Sequence, residues 1–560
     1  MKRVLIIIAG LFVCSGVIKA QDDVPHQERV IVVRSYDPMI DDAFKININP
    51  VITDTVRRGD RMVSYEITPI KLNTDIQVLP VQPARMRGGL QRPELNSFLL
   101  KTGFGNYTTP YFELFYNSLR SRTGNYGLHY RHLSSHGSIE EYAFPGYSEN
   151  SIDAHASLFG RNHSFHFKGG YDRDVVHFYG RPDTLVNDTI SKDLIRQRFH
   201  RVAFDASMES AGGFGNKPEY GLGIRYRLID DHYETTEHAA FLEGKIQQDV
   251  TWFPFSRYQT AGVQLDGDFF HTGMIQDTTS FNQDQFLLRI NPYMEARIND
   301  LHVRAGFIAG YESADNGNLV LYPDISLKIS LNEHRFLIMG GLEGDLTRSS
   351  FNKLAETNPF VISQPDMKNT LTRVRVYGGL RTAIGPRINL SARVSSESVR
   401  NMALFTIDTL FPLQNRFNVL YDDGQILTLR AEMNYQMAER LKVAAKVLFR
   451  DHNMVNETYA WHEPVLTTGL EVRYNMADKI LAYAGLSYLH GMRIKTFSEG
   501  VKTTETLPDI FDISLGAEYR YTRLLSGFVR INNLAASRYY RWQHYPSHRF
   551  NFMMGVTYAL

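Results

Sequence analysis

One cysteine, Cys14, stands in the 560 residues. It falls within the first twenty, so a chain trimmed of them could form no disulfide and no thiolate metal site. No stretch approaches eighteen consecutive apolar residues, which excludes a membrane-spanning helix. Neither sign of charge dominates, with 61 Lys and Arg against 60 Asp and Glu. A broadly basic nucleic-acid-binding surface is therefore excluded, and no nucleic acid is expected as a partner. The chain lacks HExxH, the Walker phosphate loop, GxSxG and GxGxxG. It is expected not to be an enzyme, and no motif points to a cofactor or a metal. His129, His132 and His136 lie close in sequence, but on a strand 129 and 132 face opposite sides and cannot share an ion. Asp230, Asp231, Glu234 and Glu237 crowd one loop and read as a solvated acidic surface rather than a Ca²⁺ site.

What the chain has is alternation. Tyr220, Leu222, Ile224, Tyr226 and Leu228 alternate with Gly221, Gly223, Arg225 and Arg227. Leu441 to Arg450 and Phe511 to Thr522 repeat the pattern, and so does the end of the chain. There Phe550, Phe552, Met554, Val556, Tyr558 and Leu560 share one face, against Asn551, Met553, Gly555, Thr557 and Ala559. Period two means strands with one oily and one small or polar face. Aromatics are abundant, 34 Phe and 31 Tyr, as at the rims of membrane barrels. In such a barrel the oily face meets lipid, and the last strand pairs with the first to remove the open edge.

The N-terminus reads as an export signal. Lys2 and Arg3 precede the apolar run Val4–Val13, and Ala20 is a small residue at a plausible cleavage point. Residues 1–20 are thus expected to be removed. Residues 21–95 differ from everything after them. Pro25, Pro38, Pro50, Pro69, Pro80, Pro83 and Pro93 interrupt their short apolar runs, and proline blocks central strands and helix interiors. This stretch is expected to be an extended periplasmic or lumenal segment, and residues 96–560 the barrel.

Turns set the strand count. Polar breaks fall near Arg122-Thr123-Gly124, Arg161-Asn162, Asn216-Lys217-Pro218, Phe255-Ser256, Asn299-Asp300, Asn332-Glu333, Gly385-Pro386, Ala438-Glu439, Ala477-Asp478 and Arg523-Leu524. Such residues supply turn conformations. Two strands and a longer polar loop separate consecutive breaks, which predicts an all-β, antiparallel transmembrane barrel of about 22 strands. The 401–417 region fits this scheme poorly. The outer loops are expected to be short, which argues against a large ligand. Arg373, Arg375, Arg381 and Arg393 share the polar face of two neighbouring strands. They read as a lumenal anion ladder, or equally as partners for acidic residues or anchors for the N-terminal segment.

The C-terminal residues Val529-Arg530-Ile531-Asn532-Asn533-Leu534, Tyr539-Tyr540, Tyr545-Pro546, Arg549 and Phe550–Leu560 resemble the end of TonB-dependent outer-membrane receptors. Ala535-Ala536 stands where that family usually has Phe-Asp, Ser547-His548 stands where it has Pro-Gly, and the last residue is not aromatic. The resemblance implies an outer-membrane barrel in a Gram-negative cell, in contact with outer-membrane lipid and built by the barrel-assembly machinery. It also implies a globular plug of well over a hundred residues, for which 21–95 leaves about 75. Glu28, Arg29, Val30, Ile31, Val32 and Val33 resemble a TonB box, which would pair with TonB by strand addition. Two functions follow as expectations. The first is solute uptake across the outer membrane. The second is a non-transporting barrel that anchors a periplasmic or surface lipoprotein through 21–95. An empty cylinder of 22 strands is a wide pore, so 21–95 is expected to occlude the lumen partly or to recruit a partner that does.

Overall fold

The computed structural model describes residues 95–180, 190–210, 217–276, 279–313, 318–331, 335–437, 440–498 and 501–560. The signal-like residues, the TonB-box-like peptide Glu28–Val33 and most of the Pro-rich segment lie outside the described residues. Everything described belongs to one unit, Leu90–Leu560.

The strands in chain order are β1 (Phe98–Gly105), β2 (Thr109–Asn117), β3 (Gly124–Ser135), β4 (Tyr147–Phe159), β5 (His163–His177), β6 (Arg196–Ser210), β7 (Glu219–Asp231), β8 (Thr236–Val250) and β9 (Tyr258–Gln276). Next come β10 (Thr279–Ile298), β11 (Leu301–Glu312), β12 (Asn318–Leu331), β13 (Phe336–Thr347), β14 (Thr370–Ile384), β15 (Ile388–Ile407), β16 (Phe417–Met437), β17 (Leu441–Met454), β18 (Leu466–Met476) and β19 (Ile480–His490). The chain ends with β20 (Arg493–Ser498), β21 (Val501–Thr506), β22 (Ile510–Arg520), β23 (Leu525–Asn532), β24 (Tyr540–Trp542), β25 (Tyr545–Pro546) and β26 (Asn551–Ala559). One short helix, α1 (Phe351–Thr357), lies between β13 and β14.

Twenty-two of these strands form a single antiparallel sheet. Each pairs with the next, and β26 pairs with β1, so the sheet is a closed barrel. The pairs β20–β21 and β24–β25 are small hairpins within loops. Phe98 and Leu560 exchange both backbone hydrogen bonds at the seam, at 2.9 and 2.8 Å. Closure leaves no strand edge unpaired, which a lipid environment requires. The polar breaks among the described residues fall between paired strands at one rim, the rim that also holds Phe98 and Leu560; Asn216, Asn332-Glu333 and Ala438-Glu439 lie outside the described residues. Asn299 and Gly385 take left-handed backbone there, with φ of 52° and 63°, as tight turns demand.

The two faces of the wall separate as alternation requires. On β26, Met554 and Val556 are 56 % and 48 % exposed, whereas Met553 and Thr557 are 7 % and 5 % exposed. Leu222 and Ile224, Leu327 and Ile338, Val376 and Val394 continue the exposed apolar band around the barrel. The opposite face carries cross-strand ion pairs, among them Arg227–Asp205 at 2.7 Å, Arg289–Asp268 at 3.0 Å and Arg304 with Glu295 and Asp324. A soluble sandwich would bury the apolar face. Here that face is the outside, and the charged face lines the lumen.

The 401–417 region resists sequence reading for a local reason. β15 is twenty residues long, and its register with β16 shifts between Val399 and Met402. Asn401 sits at the shift with φ of 54°, and its side chain bonds the Asn369 carbonyl at 3.3 Å. A bulge of this kind breaks the period-two pattern. At the seam, Gly103 faces Gly555, and a Cβ on Gly555 would run into the Thr102 carbonyl and the Phe528 ring. Glycine is needed there for close approach, not for flexibility.

These facings yield a test. Phe552 shares the exposed face of β26, and Asn551 points the other way. Phe552→Arg is expected to cost about 2–4 kcal/mol at membrane depth and to lower the yield of heat-modifiable barrel. Asn551→Arg is expected to cost much less. Equal loss in a gel-shift assay of membrane fractions would show the facing to be wrong.

Candidate functional site: a loop-capped lumen

The lumen wall is charged. On β14 and β15 the register places Arg375 opposite Glu397 and Arg393 opposite Gly379. Arg375 bonds Glu343 at 3.0 Å and Glu397 at 2.5 Å, and Arg393 bonds the same Glu343 at 3.0 Å while its guanidinium lies 3.9 Å over the Tyr377 ring. Arg381 is exposed six residues beyond Arg375 on β14, opposite Ser391. Arg373 sits at a register shift between Thr372 and Val374. The structure thus ties Arg375 and Arg393 to carboxylates rather than presenting four equivalent free cations. Farther along the same wall, Arg430, Lys442 and Lys446 are exposed. The wall on the other side of the ring is rich in acids, including Glu149, Asp172, Asp174 and Asp268.

His129 lies in the lumen against Glu113 at 3.1 Å, and His132, on the other face, bonds Asn150 at 2.6 Å. Among the described residues no three His, Cys, Asp or Glu side chains converge as a metal site.

The rim opposite the short turns is where the chain departs most from its sequence reading. Its loops are not short: 348–369, 491–509 and 533–550 each run to about twenty residues. The loops 348–369 and 533–550 share one apolar core, and Met492, Ile494 and Leu507 of the third form a smaller cluster of their own beside Tyr539 and Tyr540. Phe199, Ile229 and Met274 enter the larger core from β6, β7 and β9, Phe405 and Val419 from β15 and β16, and Trp542 and Tyr545 from the loop before β26. Those strands lie in three different sectors of the ring. A single core that includes all of them bridges the mouth.

The longest bridge is 348–369. Ser350 caps α1 by accepting from the Lys353 amide, and Phe351, Leu354 and Ala355 face the core. The first turn of the helix sits on Glu237, whose carboxylate accepts from the Phe351 amide at 2.7 Å and the Asn352 amide at 3.4 Å. A carboxylate satisfies the free amides of a helix start and its positive end. Glu237 is therefore buried with work to do, and so is Asp231, which accepts from Gln197 and from the Tyr233 and Thr235 amides, each at 2.9 Å. The reading of Asp230–Glu237 as a solvated acidic loop fails for these two residues. Beyond the helix, Ser363 accepts from Thr235 at 2.7 Å, and Phe360 and Ile362 bond Phe417 backbone to backbone. Arg348, beside the same helix, lies flat on the Phe270 ring at 3.4 Å, and burial lowers it to about 10.

The other loops lock onto this bridge. The Phe360 and Tyr545 rings stack at 3.7 Å. Tyr545 donates to the Asn415 carbonyl, Asn415 donates to the Phe178 carbonyl at 2.6 Å, and Tyr179 donates to the Pro546 carbonyl at 2.9 Å. Arg416 is packed among Phe178, Tyr233 and Phe411. His462 sits at the centre, 1 % exposed, between Phe417 and Trp542. Its Nδ1 donates to the Phe405 carbonyl at 3.0 Å, and its Nε2 accepts from the Gln543 amide at 3.3 Å. Both nitrogens are used by the neutral ring, and a second proton would meet an N–H. Under the cap, against β4–β6, lies a cavity of about 640 Å³ lined by Arg131, Glu149, Asp172, Asp174, Arg201 and Glu356. That is the size of a small-molecule site.

Sequence reading missed the cap because its contacts join residues hundreds of positions apart. Two local signals were present. Ser350 followed by Phe351, Leu354 and Ala355 is a capped amphipathic turn, and two of the three tryptophans, Trp461 and Trp542, stand in the long loops of this rim.

Compared with solved structures, the chain is similar to the ferripyoverdine receptor of the outer membrane of Pseudomonas aeruginosa bound to ferripyoverdine. The TM-score is 0.63 at 13 % identity, covering 84 % of this chain and 72 % of that one. It is also similar to a mutant ferric enterobactin receptor, PfeA, from Pseudomonas aeruginosa in complex with enterobactin, at TM-score 0.60 and 11 % identity over 83 % and 81 % of the two chains. The complex of FpvAI with pyocin S2 matches at 0.63 and 13 % over 84 % and 71 %. No family model and no curated protein matches the chain. The fold is that of the TonB-dependent outer-membrane receptors.

His462 makes the cap sensitive to acid. Burial, aided by the Arg541 and His544 charges, pushes its pKa down from 6.5 to about 3 in the folded state, against a favourable bond to the Phe405 carbonyl. A depressed histidine stabilises the fold fully above its unfolded value and progressively less as pH falls towards the folded one. Once corrected for intrinsic exchange, which itself slows as pH falls, the opening of amides in 455–465 and 540–546 is therefore expected to accelerate between pH 7 and pH 5. A His462→Phe variant should lack that acceleration. Equal pH dependence in the two proteins would show that His462 does not hold the cap.

Proposed function

We propose that this protein is an outer-membrane barrel for uptake of a small polar solute, with its outer mouth closed at rest by its own loops. The observation that carries this reading is the single apolar core built by loops from three sectors of the ring. A fixed lumen needs no such core, since loops at a porin mouth can stay solvated. The charged lumen and the cavity beneath the cap suit a polar solute. The likeness to receptors solved with ferripyoverdine and with enterobactin supports uptake as the class of activity. Energy for opening would come from TonB through the peptide Glu28–Val33, engaged as an added strand. Outer-membrane residence and export by residues 1–20 belong to the same reading.

The closed mouth also favours a second reading. A barrel that never opens would serve as an anchor, with residues 21–95 holding a periplasmic or surface lipoprotein. Capture of native membrane complexes separates the two. TonB among the partners, lost on deleting 28–33, supports uptake. A lipoprotein without TonB supports anchoring.

The cap is tested in liposome swelling with small sugars and amino acids. The native barrel is expected to give slow swelling, and the double variant Phe360→Ala, Tyr545→Ala several-fold faster swelling, since the stacked pair joins two loops. Fast swelling by the native barrel, unchanged in the variant, would contradict a closed mouth.

A further inference from the structure

The lumenal faces of β14 to β18 carry cations that the wall around them does not neutralise. The register sets Arg393 directly opposite Arg430, and Lys442 directly opposite Arg473. Like charges facing each other across a sheet are destabilising. One member of each pair has a carboxylate: Arg393 bonds Glu343 at 3.0 Å, and Arg473 bonds Glu471 at 3.5 Å. The other member does not. Among the described residues, Arg381, Arg430, Lys442 and Lys446 form no ion pair, and each is exposed. Glu432 stands opposite Lys446 without bonding it. Cations outnumber the carboxylates Glu397, Glu432 and Glu471 on this face, and Glu397 is already taken by Arg375.

The facing sector of the ring is built differently. There Glu149 stands opposite Asp174, but Arg131 and Arg201 neutralise the two. Asp205 holds Arg227, Asp268 holds Arg289, and Glu295 holds Arg304. A wall that had only to stay solvated could interleave its signs in this way all round. On β14–β18 the unpaired cations are instead spread along the strands. Arg430 is level with Leu448, two residues from Lys446 on β17, and Lys442 lies four residues further on. At about 3.4 Å per residue these steps are about 7 and about 14 Å. Arg381 is level with Lys446 through Ser391 and Glu432. The run ends at the rim of short turns, where Lys442 is the second residue of β17.

We propose that the lumenal face of β14–β18 is an anion track, and that the solute this barrel carries is a small polyanion with two or more carboxylate or phosphate groups. Arginine clasps either group through two parallel hydrogen bonds, and lysine adds a point charge. Stations spaced along a wall let an anion pass from one to the next, so that no single site has to bind tightly enough to trap it. The solute class deepens the uptake reading and rests on it. The binding of anions to this wall does not depend on passage, and the two are measured separately.

Three full-length proteins are compared in a zwitterionic detergent: the native chain, the wall variant Arg430→Gln, Lys442→Gln, Lys446→Gln, and a control with the same loss of charge elsewhere in the lumen, Lys101→Gln, Lys168→Gln, Lys245→Gln. Heat-modifiable migration checks that each is folded, and Arg430→Gln alone replaces the wall variant if the triple change does not fold. Citrate and tripolyphosphate are titrated separately by calorimetry at low salt, which distinguishes carboxylate from phosphate. The expected result is that the native chain and the control bind one or both anions equally, and that the wall variant binds about tenfold more weakly. No binding by the native chain would overturn the track. Equal weakening in the wall variant and the control would overturn it too, because the anion would then answer to net charge and not to this wall. Passage is read independently, as swelling in a neutral sugar of vesicles that hold the Phe360→Ala, Tyr545→Ala barrel. Binding at the wall without swelling would refute uptake, and with it the carried solute, and would leave the wall as an anion site. Swelling without binding would refute the track and leave uptake standing.

Discussion

A sheet in lipid cannot keep a free edge, and that constraint organises the molecule. Each of the twenty-two strands pairs on both sides, and the ring depends on one seam between β1 and β26. Both seam strands are short, eight and nine residues, close to the minimum that crosses a bilayer at a tilt. The seam is packed on its lumen side by Tyr111, Phe528 and Met553 and brought close by Gly103 against Gly555. With the ring closed, alternation can only sort apolar residues outward and charged ones inward. The lumen charges then pair across neighbouring strands, as at Glu343 between Arg375 and Arg393.

Closure also creates the problem that the cap addresses. A ring of this size encloses a space too wide for wall side chains to fill. At one rim the connections are too short to reach across it. At the other, β15 and β16 rise to twenty and twenty-one residues and carry loops long enough to meet. Those loops bury their aromatic residues against one another and against the inner faces of the rising strands. The buried carboxylates Glu237 and Asp231 hold the loop backbones to the wall, because each finds amide donors there. The result is a barrel with a packed roof at one end and turns at the other.

The wall was legible in the sequence and the roof was not. Period-two runs such as Tyr220–Leu228 and Phe550–Leu560 name their own faces, because each strand is amphipathic by itself. The turn residues near Asn299-Asp300 and Gly385-Pro386 mark strand ends for local conformational reasons. The 22-strand count follows from these two signals. The roof depends on contacts such as Phe360 on Tyr545 and Asn415 on Phe178, for which no local pattern exists. For the same reason Asp231 and Glu237 read as solvated until their amide partners are seen. The arginines on β14 and β15 read as a ladder because their face is legible, while the sharing of Glu343 between Arg375 and Arg393 needs the neighbouring strand.

That the outer loops are locked across the mouth can be measured as a distance. Cys14 is the only cysteine, so a Cys14→Ser chain carries spin labels only where they are placed. Leu194 and Leu410 are strongly exposed and lie in loops from opposite parts of the ring, joined in the structure through Phe178 and Asn415. Pulsed electron-electron resonance between labels at these two positions, in lipid and without added partner, is the most direct measurement. One narrow distance distribution is the expected result. A broad distribution, as two independently moving loops would give, would contradict a mouth closed at rest.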